Sequence, residues 1–337
     1  MKKILLVGNS KDGSCLEASY KRAFESIGFD VKLFDPNISI QKYLKLGKIG
    51  TIIHRFMPIE EWEKKMNREF IIDAKNYHPD LLFIACNAPI TYNSLAFLKS
   101  ILVKTKIILL WPDTIFNLKE RICSSAPLYD GVVTYSSNSI AIFQLLGFKN
   151  VYWVPLAADE TLHGIKEIQI KKDTSLCFIG GYRTERAEVL AKISKYFPAL
   201  NIHIYGVFWD RCTISLLKPH IKNQAIRGKD FAKKLNQSLI SLNVIDDTNF
   251  PAANMRFFET PIASGLQLSS ACPEMEEIYL DFQTILYFRS DDELYSKIDA
   301  VLSNTLNHDK IRKDAYLLTK EHHTYTHRAQ KIIDLFL

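Results

Sequence analysis

The sequence lacks the cysteine spacings of a metal or redox site and the long hydrophobic runs of a membrane protein. Its six cysteines are scattered without a Cys-x-x-Cys pair, which excludes such sites and indicates a reduced compartment. The apolar run near the start, Ile4 to Val7, is too short for the core of a secretory signal peptide. No apolar stretch approaches the ~20 residues that a membrane span needs. We therefore expect a cytoplasmic protein that contacts a membrane at most peripherally.

A large excess of either charge is also absent. The chain has 43 Lys and Arg residues against 37 Asp and Glu residues, a net charge of +6. This mild excess suits a phosphate-bearing ligand or an anionic membrane surface, but it is too scattered to predict nucleic-acid binding. The basic clusters Lys42–Lys48 and Lys99–Lys106 are interpreted as solvated helix faces. With 337 residues, 47% of them hydrophobic, the chain is long enough for two globular domains.

Short β-branched runs alternate with amphipathic stretches along the whole chain. Most of the runs are continuously apolar, as is typical of parallel strands covered on both faces. The pattern predicts an α/β fold with two Rossmann-like, doubly wound domains. The predicted strands are Ile4–Val7, Val31–Phe34, Thr51–Ile53, Leu81–Ala85, Ile107–Leu110, Val132–Tyr135 and Val151–Val154, then Leu176–Ile179, Ile202–Tyr205, Leu239–Ile245, Leu266–Ser269 and Ile285–Phe288.

The two halves are separated by a polar stretch near Pro155–Asp173. We therefore predict an N-terminal domain of residues 1–156, a linker of residues 157–173 and a C-terminal domain of residues 174–320. In doubly wound sheets, ligands bind beyond the C-terminal ends of the strands. The loops that follow predicted strands are thus the places where functional residues are expected.

The first such loop runs from Gly8 to Ser14 and leads into a predicted helix. Gly8 and Gly13 have P-loop spacing, but Ser14 stands where a P-loop has its lysine, which excludes that class of NTPase. The loop also lacks the glycine pattern of nicotinamide-binding proteins. Two interpretations remain: a flexible loop whose amides and Ser14 contact a sugar or phosphate, or an ordinary turn.

The second loop contains Gly180 and Gly181 and opens the second half with the same strand–loop–helix arrangement. Two glycines allow the backbone to approach a ligand closely, and the helix N-terminus supplies free amides. Arg183 and Arg186 add positive charge nearby. This combination favours a diphosphate ligand, although a tight turn followed by surface arginines is the alternative.

Two further segments carry candidate residues. Tyr205-Gly206 ends the next strand, and Trp209 could wall a nucleobase there or simply pack in the core. After Asn254, Arg256 and Glu259 share one helix face. Glu259 is expected where a carboxylate can accept hydrogen bonds from both hydroxyls of a ribose. The alternative is a surface ion pair between Glu259 and Arg256.

From Arg256 onward the sequence resembles the CgeB-like glycosyltransferases (spore maturation protein type), within the larger group of GT-B fold enzymes. That family has a stretch reading roughly Arg-x-Phe-Glu-x-x-x-x-Gly-Gly before an apolar strand and an acidic tail. Arg256–Glu259, Gly265 and the acidic run Pro273–Glu277 match it. Further resemblances, in the family's order, are Gly13-Ser14, Trp111-Pro112-Asp113, Val154–Asp159, Phe178–Arg186, Tyr205-Gly206 with Trp209, and His323–Arg328.

Two residues depart from the family pattern. Ser264 replaces the first glycine of the pair, and Pro251 stands where many retaining GT-B enzymes carry a second glutamate. Retention and inversion of configuration therefore both stay open. If the enzyme inverts, Asp113 is the first candidate for the base that deprotonates the acceptor, with Asp12 and His54 as weaker candidates.

The resemblance implies two domains facing a cleft, with residues 321–337 packing back on the first domain. It implies a hexosyltransferase-type, metal-independent enzyme of polysaccharide biosynthesis that moves a sugar from a nucleoside-diphosphate donor to a glycan, lipid-linked or protein acceptor. A non-catalytic binding protein and a nucleotide-sugar epimerase are the alternatives. The residues expected to hold the donor, with no other cofactor, are Gly13, Ser14, Gly180, Gly181, Arg183, Arg186, Tyr205, Gly206, Trp209, Asn254, Arg256 and Glu259.

Overall fold

The chain divides into two compact units, and we describe each by itself. The first contains Met1–Pro155 together with Thr326–Leu337, and the second contains Leu156–Tyr325. The computed structural model describes residues 1–10, 13–42, 47–56, 59–168 and 174–337. Within this part of the chain, no helix combines the length and hydrophobicity that a membrane span requires.

The first unit is a parallel sheet with helices between its strands. Its elements are β1 (Lys3–Val7), α1 (Leu16–Ser26), β2 (Asp30–Phe34), α2 (Pro36–Gln41), α3 (Gly47–Phe56), α4 (Glu60–Tyr77), β3 (Leu81–Ala85), α5 (Tyr92–Ile101), β4 (Lys106–Trp111), α6 (Glu120–Ser124), β5 (Gly131–Thr134), α7 (Ser139–Leu145) and β6 (Val151–Trp153), with short 3-10 helices at Ile115–Asn117 and Ala126–Leu128. The strand order is β2-β1-β3-β4-β5-β6, and all pairs are parallel.

The second unit repeats the plan with a smaller sheet. Its elements are α8 (Glu160–His163), β7 (Thr174–Ile179), α9 (Thr184–Tyr196), β8 (Ile202–Tyr205), α10 (Gly228–Gln237), β9 (Ser238–Asn243), α11 (Met255–Ile262), β10 (Gln267–Ser270), β11 (Leu286–Phe288), α12 (Asp291–Leu302) and α13 (His308–His322), with 3-10 helices at Trp209–Arg211 and Ser215–His220. The parallel strands are ordered β11-β10-β9-β7-β8.

Burial explains why the strands carry continuous apolar runs. Every residue of β3 is buried, as are Ile4 to Val7 of β1, because helices cover both faces of the sheet. In each unit the strand order reverses beside the first strand, between β1 and β3 and between β7 and β9. Ligands of doubly wound sheets bind at this switch point, beyond the C-terminal ends of the strands. The fold predicted from the sequence is therefore confirmed for both units.

One predicted strand is wrong. Thr51–Ile53 lies within the helix α3. The apolar residues Ile49, Ile52, Ile53 and Phe56 recur at the spacing of a helix, and the short β-branched run inside this pattern gave the misleading strand signal.

The last helix, α14 (Tyr325–Phe336), packs on the edge of the first unit's sheet. The Phe336 ring meets Tyr152 edge-on at 5.6 Å between centroids. Lys331 donates from Nζ to the Trp153 carbonyl at 3.1 Å, and the buried Arg328 donates from Nε to the Pro155 carbonyl at 2.9 Å. A Cβ on Gly131 would lie 2.4 Å from the Phe336 ring, so this glycine allows the close contact.

Candidate functional site

The candidate site in the second unit forms where β7 and β8 end. The Gly180 amide donates to the Tyr205 carbonyl at 2.9 Å. Gly206 has φ of +144°, and a Cβ there would lie 1.9 Å from the Gly180 carbonyl oxygen. The glycine at position 206 therefore allows two loops to meet backbone to backbone.

Trp209 supports this turn from beneath. Its indole Nε1 donates to the Gly180 carbonyl at 2.8 Å, and its ring packs edge-on against Phe178 and Tyr182. Trp209 is only 2% exposed, and Tyr205 is buried as well. The expectation that Trp209 walls a nucleobase is therefore corrected: the side chain packs in the core and fixes the glycine turn.

An exposed aromatic residue next to Trp209 was not singled out from the sequence. Phe208 has φ of +66°, is 54% exposed, and has the Arg211 guanidinium 4.6 Å from its ring centroid. The left-handed backbone turns this ring outward while Trp209 turns inward. Sequence alone gives no signal for which of two adjacent aromatic residues faces solvent.

A buried carboxylate organises the two arginines that follow the turn. Arg186 donates from Nη1 to the Gly181 carbonyl and from Nη2 to Asp246 Oδ2, each at 3.0 Å. Arg183 Nε lies 3.3 Å from the same oxygen. The other oxygen of Asp246 accepts from Thr248 Oγ1 at 2.7 Å and from Asn249 Nδ2 at 2.6 Å.

Asp246 thus fixes the orientation of a positive cluster. Its side chain is 2% exposed, whereas that of Arg183 is 48% exposed. Burial lowers the pKa of Arg186, and the negative charge of Asp246 opposes that shift. Sequence reasoning missed Asp246, although it follows the buried strand β9, where functional side chains are expected.

Helix α11 brings a third arginine to the end of β7. The helix begins after Asn254, whose Oδ1 accepts from the Phe257 amide at 3.1 Å. Arg256 donates from Nε to the Ile179 carbonyl at 3.1 Å and from Nη1 to Glu259 Oε2 at 2.6 Å. This anchors Arg256 next to the turn that contains Gly180.

Glu259 is a buried carboxylate. Its side chain is 5% exposed, and His163 Nδ1 lies 3.8 Å from Oε1. The predicted ion pair between Arg256 and Glu259 is present, but its carboxylate is buried rather than exposed at the surface. The predicted contact of Glu259 with a ribose is not tested by this geometry and stays a prediction.

Three arginines gather around the turn, and carboxylates nearly balance their charge. The guanidinium groups of Arg183 and Arg256 act on the pKa of Arg186, and so does the carboxylate of Glu185. Asp246 pairs with Arg183 and Arg186, and Glu259 pairs with Arg256. The N-cap residue of α9, Arg183, makes no side-chain capping hydrogen bond, so the positive end of this helix adds to the site. Chemically, this arrangement suits a group with two negative charges, such as a diphosphate.

The substituted glycine position is accommodated by local contacts. Ser264 takes the left-handed conformation, with φ of +51°, that a glycine adopts more easily. Its Oγ donates to the Ile165 carbonyl at 2.6 Å, and its own carbonyl accepts from Arg312 Nε at 2.6 Å. At the next position a Cβ would lie 2.9 Å from Thr260, so only glycine fits at position 265 without a shift of its neighbours.

In the first unit, the loop after β1 is held by two acidic residues. The Asn9 amide donates to Glu17 Oε1 at 3.0 Å, and the Ser10 amide donates to Asp35 Oδ2 at 2.7 Å. Gly13 is exposed, and Ser14 is partly buried at the start of α1. Their predicted ligand contacts are not tested, and Asp12 lies outside the described residues.

Asp113 lies just beyond the C-terminal end of β4, where a ligand group of this fold is expected. Its Oδ1 accepts from the Thr114 amide at 2.8 Å, and its Oδ2 accepts from Asn117 Nδ2 at 2.7 Å. The neighbouring Cys86 has a pKa raised to about 11, first by burial and further by the charge of Asp113. The other predicted base, His54, belongs to α3, and its side chain lies outside the described part of the structure.

No metal cluster accompanies these groups within the described residues: no three His, Cys, Asp or Glu side chains converge to hold an ion. His323, from the C-terminal motif, is buried, with its ring stacked on Phe258 at 5.9 Å and near Tyr279 at 5.2 Å between centroids. It acts as a packing residue.

Residues 183–334 match a family model described as glycosyl transferase-like. This segment includes the three arginines, Asp246 and Glu259, and the glycine turn directly precedes it. No curated protein sequence matches the chain.

Solved structures extend the likeness over the whole chain. A glycosyltransferase from Rickettsia africae has 11% identity and a TM-score of 0.67, with 99% of this chain and 98% of that chain covered. Anabaena HepE in complex with UDP-glucose has 12% identity and a TM-score of 0.66, covering 99% of both chains. Sucrose-phosphate synthase from Thermosynechococcus elongatus has 11% identity and a TM-score of 0.65, covering 100% of this chain and 98% of its own. These likenesses show a shared fold, the two-domain GT-B fold.

Proposed function

We propose that this chain is a CgeB-like, metal-independent glycosyltransferase that moves a hexose from a nucleoside-diphosphate donor to a hydroxyl acceptor. The observation that carries the proposal is the glycine turn with its oriented arginines at the end of β7, which adjoins a segment that matches a glycosyl transferase-like family model.

The diphosphate is assigned to the amide of Gly181, the start of α9, and the guanidinium groups of Arg183 and Arg186. The Gly180 amide instead holds the turn together through the Tyr205 carbonyl. As the glycosidic bond breaks, negative charge grows on the leaving diphosphate. Positive groups that are already oriented stabilise this charge without a reorganisation cost. Asp246 provides that orientation because it holds both arginines before any ligand arrives. The mechanism needs no metal, since arginines and amides supply the positive charge.

The ribose is assigned to Glu259, whose position next to β7 supports the role. Its carboxylate already accepts from Arg256 at 2.6 Å. To accept hydrogen bonds from the two ribose hydroxyls, one oxygen of the carboxylate must give up its hydrogen bond to the protein and accept one from the ligand instead. Arg256, whose side chain is 37% exposed, is then placed to contact the phosphate.

UDP is the nucleotide we assign to this site. The support comes from a structural relative, since HepE has been solved in complex with UDP-glucose and with UDP. The exposed ring of Phe208, beyond β8, offers an aromatic surface on which a base can stack. It takes over the role that the sequence suggested for Trp209.

For an inverting reaction, Asp113 is assigned as the base that removes the acceptor proton. Its two hydrogen bonds hold the carboxylate at the end of β4, and a half-buried position keeps it accessible to a hydroxyl. Asp12 and His54 remain weaker candidates. A retaining reaction needs no such base. The acceptor is proposed to be a surface glycan or glycoconjugate, reached by a cytoplasmic protein in peripheral contact with a membrane.

A nucleotide-sugar epimerase is the second candidate, because UDP-GlcNAc 2-epimerase from Methanocaldococcus jannaschii shares the fold at a TM-score of 0.56, with 12% identity and 99% of both chains covered. A non-catalytic nucleotide-binding protein is the third. An incubation of the full chain with a panel of nucleotide sugars distinguishes them. A transferase releases free sugar and nucleoside diphosphate slowly by transfer to water. An epimerase yields an isomerised donor, and a binding protein leaves the donors intact, so either of these results overturns the proposal.

A further inference from the structure

Helix α3 presents a row of apolar side chains to solvent. Ile49, Ile52 and Phe56 are 66%, 59% and 78% exposed, and Ile53 is 36% exposed. Single exposed apolar residues are ordinary on protein surfaces, but a contiguous exposed row marks an interaction surface.

The spacing of these residues puts them on one face. Ile52 and Phe56 follow Ile49 by three and seven positions, and Ile53 lies four positions after Ile49, which is the spacing of one helix stripe. Gly50, which falls outside the stripe, is buried. The apolar face of α3 therefore points away from its own unit, the reverse of a helix that covers a core.

The charges of α3 identify what this face contacts. The helix sequence from Gly47 to Phe56 contains Lys48 and Arg55 and no acidic residue. Lys42, which precedes the helix in the chain, is already paired with Glu69 at 3.0 Å. An exposed apolar face on a helix that contains basic and no acidic residues is the pattern of a helix that lies in the surface of an anionic bilayer.

We propose that α3 docks the protein on an anionic lipid bilayer, with its four apolar side chains inserted among the lipids and its basic residues near the headgroups. This names the surface behind the peripheral membrane contact of the proposed function, but it does not depend on the donor site. A second copy of the chain fits this surface less well, because a two-fold contact through α3 places two helices of the same positive charge against each other.

The test is cosedimentation of the full chain with phospholipid vesicles. We expect binding to vesicles of phosphatidylcholine and phosphatidylglycerol, and little binding to phosphatidylcholine alone. The double variant Ile52→Ser/Phe56→Ser should lose the binding. Replacing both basic residues, Lys48→Gln/Arg55→Gln, should weaken it about thirtyfold, since each basic residue contributes about fivefold near a charged bilayer.

A matched control is Leu145→Ser in α7, an apolar helix residue of the same unit that is 88% exposed. Its vesicle binding should equal that of the unchanged chain. The melting temperature reports whether each variant folds. Absence of binding to anionic vesicles overturns the inference. Binding that survives Ile52→Ser/Phe56→Ser overturns it as well, as does a dimer in solution that this variant dissociates.

The donor site is read out separately by UDP titration. The variant Arg183→Gln should bind vesicles normally even if its UDP affinity falls. Conversely, Ile52→Ser/Phe56→Ser should keep the UDP affinity of the unchanged chain. Failure of vesicle binding with intact UDP binding therefore overturns only the membrane inference, and the reverse result overturns only the donor site.

Discussion

Arg186 donates from Nη2 to Oδ2 of Asp246 at 3.0 Å, and this ion pair is largely shielded from water. A buried pair of this kind adds little net stability, but removing one partner leaves an uncompensated charge in the interior. The pair also holds the Arg186 guanidinium beside the glycine turn, where it contacts the Gly181 carbonyl. Orientation of the arginine is thus the main effect of Asp246.

Replacing Asp246 should therefore cost stability as well as ligand affinity. For Asp246→Ala we expect the free energy of unfolding to fall by about 3 kcal/mol, because Arg186 stays buried without its partner. Urea denaturation followed by circular dichroism measures this. The matched control is Asp247→Ala, next in the chain but exposed, which should change stability by less than about 0.5 kcal/mol. Equal effects of the two variants would contradict the role of Asp246.

The turn at Gly206 should tolerate no side chain. A Cβ at this position meets the Gly180 carbonyl oxygen at 1.9 Å, and φ of +144° is itself strained for alanine. We expect Gly206→Ala to lower the free energy of unfolding by at least about 2 kcal/mol. At Gly13 a Cβ meets nothing within 4 Å, so Gly13→Ala should leave the melting temperature nearly unchanged. A melting temperature for Gly206→Ala that matches the unchanged chain would rule out the close contact.

Glu259 should matter for nucleotide affinity. The change Glu259→Gln keeps the size of the side chain but removes the charge, so we expect UDP to bind about tenfold more weakly. Isothermal titration calorimetry measures the affinity. Glu277→Gln serves as control because Glu277 is an exposed glutamate of the same unit. If Glu259→Gln binds UDP as tightly as the control, Glu259 has no ribose contact.

Replacing Asp113 should impair sugar transfer without changing nucleotide affinity. If the reaction inverts, Asp113→Asn removes the base while leaving the donor site in the other unit untouched. We expect sugar transfer to an acceptor to fall by about a hundredfold or more at unchanged UDP affinity. Transfer is followed by release of UDP from a UDP-sugar. Full activity of Asp113→Asn would remove its assignment and favour a retaining reaction.

Much of the fold was predictable because burial acts on residue type directly. Strand β3 and residues Ile4 to Val7 of β1 are continuously apolar, and Gly28 and Gly147, which both have φ of +89°, follow the ends of helices α1 and α7. The exception was α3, where Thr51–Ile53 gave a strand signal. The apolar side chains of that helix face solvent, so their spacing does not indicate a buried face.

The candidate site was predictable only in part. The glycine loop and the arginines could be predicted because they follow an apolar run that the sequence identifies as a strand. Asp246 was missed because a single aspartate in a polar loop shows no sign of burial until the fold closes over it. Trp209 was placed wrongly because its neighbour Phe208 takes a left-handed backbone conformation, and that conformation decides which ring faces solvent.

The most direct test of the central claim is a calorimetric titration of the full chain with UDP, repeated with Arg186→Gln after its melting temperature has shown that the variant folds. The account predicts saturable binding of UDP to the unchanged chain and an affinity at least about tenfold lower for the variant. It is contradicted if the unchanged chain binds none of UDP, GDP, CDP and dTDP, or if Arg186→Gln binds UDP with the affinity of the unchanged chain.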